Sequence, residues 1–202
     1  MKKAAQIISV LFHPYLLPTY GGIIWVSYTF LEILPLSIRL LIVGGIFFFS
    51  CLLPLLLHIS FGFVQADKPH TRHTEMLLYA IFLIFAMLYL RRLSLPTWAQ
   101  SYFVGAALST AIVWIINTSG WRISFIMSGL GSLMGLIVMM LFIYSPLPIG
   151  LFIAVIIITG LVGTALQLLD RHTLAQTLTG WVCGIACTPL ASLAFHYNLF
   201  SL

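Results

Sequence analysis

Residues 123–169 read ISFIMSGLGSLMGLIVMMLFIYSPLPIGLFIAVIIITGLVGTALQLL. This stretch has 47 residues and no Asp, Glu, Lys or Arg. A helix needs about 20 apolar residues to cross a hydrocarbon layer about 30 Å thick. The stretch is therefore long enough for two crossings. Ser145-Pro146-Leu147-Pro148 lies near its middle and supplies the turn. The pattern predicts a helical hairpin inside a membrane.

The same rule extends in both directions. Downstream, His172 to Leu202 carries no formal charge and holds a last span, 173–195. Upstream, Arg122 closes the stretch, and Leu93 to Trp121 holds a span at 98–117. Met76 to Leu90 gives only about 22 Å of uncharged helix, so a span at 75–92 borrows its flanks, with Arg91 and Arg92 snorkelling. Leu40 to Ala66 supplies a span at 40–64. Six core spans are thus expected: 40–64, 75–92, 98–117, 123–145, 149–169 and 173–195.

Residues 4–31 are also uncharged but are interrupted by Pro14, Pro18 and Gly21-Gly22. They read either as one kinked span or as an interfacial or re-entrant piece followed by a half-span. The expected fold is an all-α polytopic membrane helix bundle. Residues 1–35 form an N-terminal hydrophobic segment, and residues 36–202 form the bundle. Gly131 with Gly135 and Gly180 with Gly184 mark close helix packing.

Composition agrees. The 202 residues include 9 Lys and Arg and 4 Asp and Glu, and 61% are apolar. A charged share of 6% is far below the roughly 25% of a soluble domain. Soluble and disordered chains are excluded. A barrel is excluded because its strands alternate polar and apolar residues. The net charge of +5 is scattered among spans and forms no basic face for nucleic acid. Cys51, Cys183 and Cys187 sit in apolar runs and read as packing residues. Met1-Lys2-Lys3 opens like a signal peptide, but no small-residue cleavage site follows, so no cleavage is expected.

Alternating the six spans sorts the polar residues by membrane face. Asp67-Lys68-Pro69-His70-Thr71-Arg72-His73, then Arg122-Ile123-Ser124, then Asp170-Arg171-His172 all fall on one face, here called X. Cations and imidazoles meeting at one end of a bundle suit a phosphate group. The plain alternative is that they are ordinary interfacial loop charges. Arg39, Arg91 and Arg92 lie on the opposite face, Y. With the candidate site residues set aside, the cationic loops place Y in the cytoplasm.

The order and spacing of these clusters resemble the type-2 phosphatidic acid phosphatase superfamily of membrane lipid phosphatases, over about residues 40–195. Residues Ala165 to Gln176 are similar to its third motif, and Ser124-Phe125-Ile126 to its second. The Lys68 to Arg72 region is similar to the first. His13-Pro14-Tyr15-Leu16-Leu17-Pro18-Thr19-Tyr20 also resembles divergent bacterial members. The resemblance implies that His172 attacks phosphorus and that Gln176 stands where an Asp orients the nucleophile. It places Ser124 in the second motif, and Lys68 and Arg72 on the phosphate.

The departures are equally specific. Leu166 replaces a phosphate-binding Arg, Ile126 the acid His, and Gln176 the Asp. A lost oxyanion donor costs about 10²–10³ in rate. A lost general acid costs roughly 10²–10⁴. Arg72, Arg122 and Arg171 are candidates to rebuild an anion pocket with Lys68, and His70 or His73 to supply the acid. Asp67, His70, His73 and His172 do not match a standard metal-ligand spacing, so neither metal nor cofactor is expected.

The function expected is a phosphatase-like membrane protein with a degraded catalytic set. It binds an anionic phospholipid or polyprenyl phosphate, and it is either a weak His-dependent phosphomonoesterase or a pseudoenzyme. The expected place is a bacterial inner membrane, with the site on the periplasmic face. The alternative is a non-catalytic subunit with a membrane-protein partner. A transporter fits least, because His58 is the only ionisable residue deep in a span and reads as a packed, hydrogen-bonded histidine.

Overall fold

A computed structural model describes residues 2–60, 69–143 and 149–196, with side chains described at 2–60, 74–142 and 149–195. Among the described residues every regular element is helical. Helices α1 (Lys2–Leu11) and α2 (Leu17–Tyr28) precede a 3₁₀ turn (Phe30–Ile33). Then follow α3 (Leu36–Phe47), a π turn (Phe48–Leu52), α4 (Leu53–Ser60), α5 (Pro69–Arg92), α6 (Thr97–Thr118), α7 (Phe125–Ile143), α8 (Ile149–Leu168) and α9 (Leu174–His196).

Six helical stretches are long and apolar enough to cross a membrane: Leu36–Ser60, Thr74–Arg92, Thr97–Thr118, Phe125–Phe142, Ile149–Leu168 and Leu174–Phe195. They coincide with the six spans expected from the charges. The chain is an integral membrane protein built as an all-α bundle. The expected turn at Ser145-Pro148 lies outside the described residues, as does the loop carrying Asp67 and Lys68.

The first span departs from a plain helix. Pro54 has no N–H to give the preceding turn, and the backbone widens into the π turn Phe48–Leu52 just before it. That turn aims Ser50 and Cys51 into the protein, where both are buried.

The N-terminal segment consists of two short helices joined by a turn. With 10 and 12 residues, α1 and α2 are about 15 and 18 Å long, too short to cross alone. Tertiary packing supports α2. It buries Leu17, Pro18, Thr19, Gly21, Gly22, Trp25 and Val26. Thr19 Oγ1 meets Ser50 Oγ at 3.4 Å, and the Trp25 ring stands edge-on to Trp98 at 5.4 Å. Leu17, Trp25 and Val26 belong to the same apolar core as residues of α5, α6 and α7. Residues 1–35 and the bundle therefore share one core.

Helices α6, α7 and α9 form the tightest part of the bundle, and glycine is the reason. A Cβ added at Gly184 would strike the Ser128 carbonyl oxygen, and one at Gly131 would strike that of Trp181. At Gly180 it would lie 2.6 Å from Ser124 O, and at Gly105 2.5 Å from the Thr188 Cα. Small residues let these backbones touch, as expected where no hydrophobic effect separates helix from lipid. Hydroxyls then bond across the seam: Ser109 Oγ to Ser132 Oγ at 3.1 Å and Thr188 Oγ1 to Ser132 O at 3.3 Å.

Candidate functional site

Three turns deliver residues to the X end of the bundle. The first joins α8 to α9. Arg171 N–H donates to Leu166 O at 3.1 Å, and Asp170 N–H donates to Gln167 O at 2.9 Å. Asp170 takes a left-handed φ of 54°. This is the Schellman pattern, which ends a helix by reversing the chain. The reversal projects Arg171 and His172 from the end of α8. Thr173 and Gln176 then form a capping box that starts α9. Thr173 N–H donates to Gln176 Oε1 at 3.0 Å, and Gln176 N–H to Thr173 Oγ1 at 3.4 Å.

The second turn precedes α7. Asn117 Oδ1 accepts from Ile123 N–H at 2.6 Å. Ser124 Oγ accepts from Met127 N–H at 3.4 Å, capping α7. The third joins α1 to α2. Leu16 N–H donates to His13 O at 2.9 Å. Tyr79 Oη, on α5, donates to Pro14 O at 2.7 Å and fixes this turn against the bundle. The Tyr15 ring lies 5.0 Å from that of Tyr79 and 4.6 Å from that of His13.

Between these turns lies a cavity of about 500 Å³. Its polar lining comes from Ser9, His13, His58, Glu75, Arg171 and His172, and its apolar lining includes Leu55, Ile126 and Leu166. Arg171 Nη1 donates to Ser9 Oγ at 3.3 Å, joining the α8–α9 turn to α1. His58 Nδ1 pairs with Glu75 Oε1 at 3.1 Å. The His13 ring lines the cavity. Burial, and then the nearby His58, hold its pKa down at about 4, so it is neutral at pH 7.

The second nitrogen of interest is His172 Nδ1, 3.2 Å from the backbone oxygen of Arg122. A carbonyl only accepts, so Nδ1 carries the hydrogen in this pair. In the neutral ring Nε2 then keeps its lone pair.

Of the expected site residues, Arg171 and His172 meet in the cavity. Three others are placed differently. Gln176 Oε1 is engaged by Thr173 rather than by the His172 ring, because at the third helical position it completes a cap. Ser124 is fully buried as the cap of α7 and does not line the cavity. The Arg122 side chain is exposed and also lies outside the lining; its carbonyl makes the contact to His172. Lys68 and the side chains of His70, Arg72 and His73 lie outside the described residues.

Sequence reasoning did not assign His13, His58 and Glu75 to the site. The expected span 40–64 put His58 deep in the membrane, whereas the observed span ends at Ser60, which puts His58 at its X end and Glu75 at the start of the next. Two ionisable residues bordering adjacent membrane spans on one face are candidates for each other. Leu166 and Ile126, which stand where the resemblance has an Arg and a His, both line the cavity. Among the described residues no group of three or more His, Cys, Asp or Glu is placed to hold a metal ion. No family model, curated protein or solved structure matches this chain.

Proposed function

We propose that this protein is a phosphatase-like membrane protein whose X-end cavity binds the anionic headgroup of a lipid phosphate, with weak or no hydrolysis. The candidate ligands are phosphatidic acid, phosphatidylglycerol phosphate and polyprenyl phosphate. The observation that carries this reading is the pairing of His172 Nδ1 with Arg122 O, next to Arg171 in the cavity lining. It leaves Nε2 of His172 as the nitrogen with a lone pair, which a histidine nucleophile needs. Arg171 supplies a fork of donors suited to phosphate oxygens. Apolar Leu55, Leu166 and Ile126 suit the start of a lipid tail.

Weak turnover follows from what orients the imidazole. A neutral carbonyl holds the ring in place but stabilises an imidazolium less than a carboxylate does. With the candidate site residues of the X end set aside, Arg39, Arg91 and Arg92 at the opposite end support a cytoplasmic location for that end by the positive-inside rule. The proposed setting is a bacterial inner membrane with the cavity on the periplasmic side. The test is binding and phosphate release with a panel of lipid phosphates in nanodiscs, comparing wild type with His172→Ala. Release that survives the substitution rules out His172 as the nucleophile. Absence of binding by any lipid phosphate removes the reading.

Leu166 and Ile126 favour a second reading. They place aliphatic side chains on the cavity wall where the resemblance has an Arg and a His. A non-catalytic subunit that kept the fold for a membrane-protein partner would accept such changes. It predicts a stable copurifying protein and unchanged function after His172→Ala.

A further inference from the structure

We infer that the cavity opens sideways into the bilayer between α1 and α4, with Val10 and Leu55 as the rim, and that a hydrocarbon chain of the bound lipid leaves through this opening. This rests on the lipid-phosphate reading and adds the path of the chain to it. Val10 and Leu55 both line the cavity, yet they are 69% and 46% exposed. A side chain that lines a cavity and also lies on the protein surface marks a place where the cavity reaches that surface. The two helices are separate walls there. α1 packs against α8, and α4 packs against α5 and the π turn. α1 precedes both stretches that carry the phosphatase resemblance, 13–20 and 40–195, so the resemblance says nothing of this wall.

Depth decides what the opening faces. Leu55 lies five residues before Ser60, where the span Leu36–Ser60 ends, or about 7.5 Å along the helix axis. Cys51 lies nine residues before Ser60, about 14 Å down, and it also lines the cavity. The cavity therefore reaches below the membrane surface, and its side opening meets lipid chains rather than water. The surface on both helices is apolar as well. Ile7 and Leu11 flank Val10, Leu56 and Ile59 flank Leu55, and all four are exposed. Uncharged aliphatic side chains suit contact with hydrocarbon.

The X end of the cavity is polar. Arg171 lines it, is exposed there, and donates to Ser9 Oγ of α1 at 3.3 Å. The remaining wall includes Leu16, Phe125 and Leu166. A guanidinium at the aqueous end and an uncharged opening within the membrane fit an amphiphile. Its phosphate lies against Arg171, its first methylenes along the apolar wall, and its chain between Val10 and Leu55. The volume agrees. About 500 Å³ suits a drug-sized ligand, enough for a headgroup and the start of a chain but not for a whole lipid. The chain has to leave. A sideways exit keeps it in hydrocarbon, whereas an exit at the X end exposes methylenes to water. A water-soluble phosphate ester with a short chain uses only the Arg171 end.

The test compares hexadecyl phosphate with ethyl phosphate, which share a headgroup and differ in chain. Binding of each is titrated in phosphatidylcholine nanodiscs to wild-type, Val10→Trp, Leu55→Trp, Val10→Ala and Ile157→Trp protein, with size-exclusion profiles to check folding. Ile157 is the control, because it is exposed on α8 and does not line the cavity. A bulky ring at the rim is expected to weaken hexadecyl phosphate roughly 10-fold or more and to leave ethyl phosphate within about 3-fold of wild type. Val10→Ala and Ile157→Trp are expected to leave both ligands within about 3-fold, because neither narrows the opening. Unchanged hexadecyl phosphate binding in both rim Trp variants overturns the side opening and leaves the lipid-phosphate reading in place. Equal losses of the two ligands overturn it too, since the headgroup end is then what changed. A wild-type protein that binds neither ligand removes the lipid-phosphate reading and the side opening together.

Discussion

Nδ1 of His172 lies 3.2 Å from the main-chain oxygen of Arg122, fifty positions earlier in the chain. The contact is made by the backbone of Arg122, a residue that is exposed and does not line the cavity. The identity of the side chain at 122 is therefore separable from the orientation of His172. Arg171 differs, because its own guanidinium reaches Ser9 and lines the cavity.

Arg122→Ala is expected to leave lipid-phosphate binding within about 3-fold of wild type, since the carbonyl remains. Arg171→Ala removes a charge-assisted donor and is expected to lose about 2 kcal/mol, roughly 30-fold in affinity. Titration of nanodisc-embedded protein with a lipid phosphate measures both. Equal losses would mean that the Arg122 side chain reaches the ligand.

Asp170 holds a left-handed conformation, φ 54°, that a side chain resists and glycine does not. Asp170→Gly is expected to raise stability in detergent by about 1 kcal/mol. Asp170→Val is expected to lower it and to weaken lipid-phosphate binding, because Arg171 and His172 depend on that reversal. Thermal unfolding and the same titration check the two effects. Retained binding in a destabilised Asp170→Val protein would uncouple the turn from the site.

Gly184→Ala brings a methyl group against the Ser128 carbonyl, where only a backbone shift makes room. A loss of about 1–3 kcal/mol is expected. Gly44 and Gly150 have nothing within 4 Å of an added Cβ. Alanine at either gains up to about 1 kcal/mol from helix propensity. Melting curves of the three single variants in one detergent test the contrast, and a similar effect at all three positions would refute the packing argument.

His13 makes stability depend on pH. Its ordinary value is 6.5 and its folded value is about 4, so between these the unfolded chain binds more protons. Its contribution is fully present above pH 6.5 and is lost as pH falls toward 4. In His13→Asn the fall in melting temperature between pH 7.5 and 4.5 is expected to be smaller than in wild type. An identical fall would show that folding does not lower the pKa of His13.

The residues differ in what they reveal without coordinates. Charge scarcity located all six spans, because a charge in hydrocarbon is costly wherever it sits in the chain. Alternating those spans brought Arg171 and His172 to the same end as Ser124, and glycine spacing marked the seam between α7 and α9. These are local or periodic properties, and one residue's neighbours in sequence suffice to read them. Which side chains converge is a different matter. Gln176 and Ser124 became helix caps because each sits at a helix start, where unpaired N–H groups compete for a side-chain oxygen. His58 met Glu75, and His13 joined them, only because the π turn, the Tyr79 bond to Pro14 and the Arg171 bond to Ser9 fix how three distant segments pack. The sequence determined that this chain crosses a membrane and which end holds its ionisable groups. The tertiary structure decided which of those groups share a cavity, since helix rotation and turn geometry are set by contacts between residues far apart in the chain.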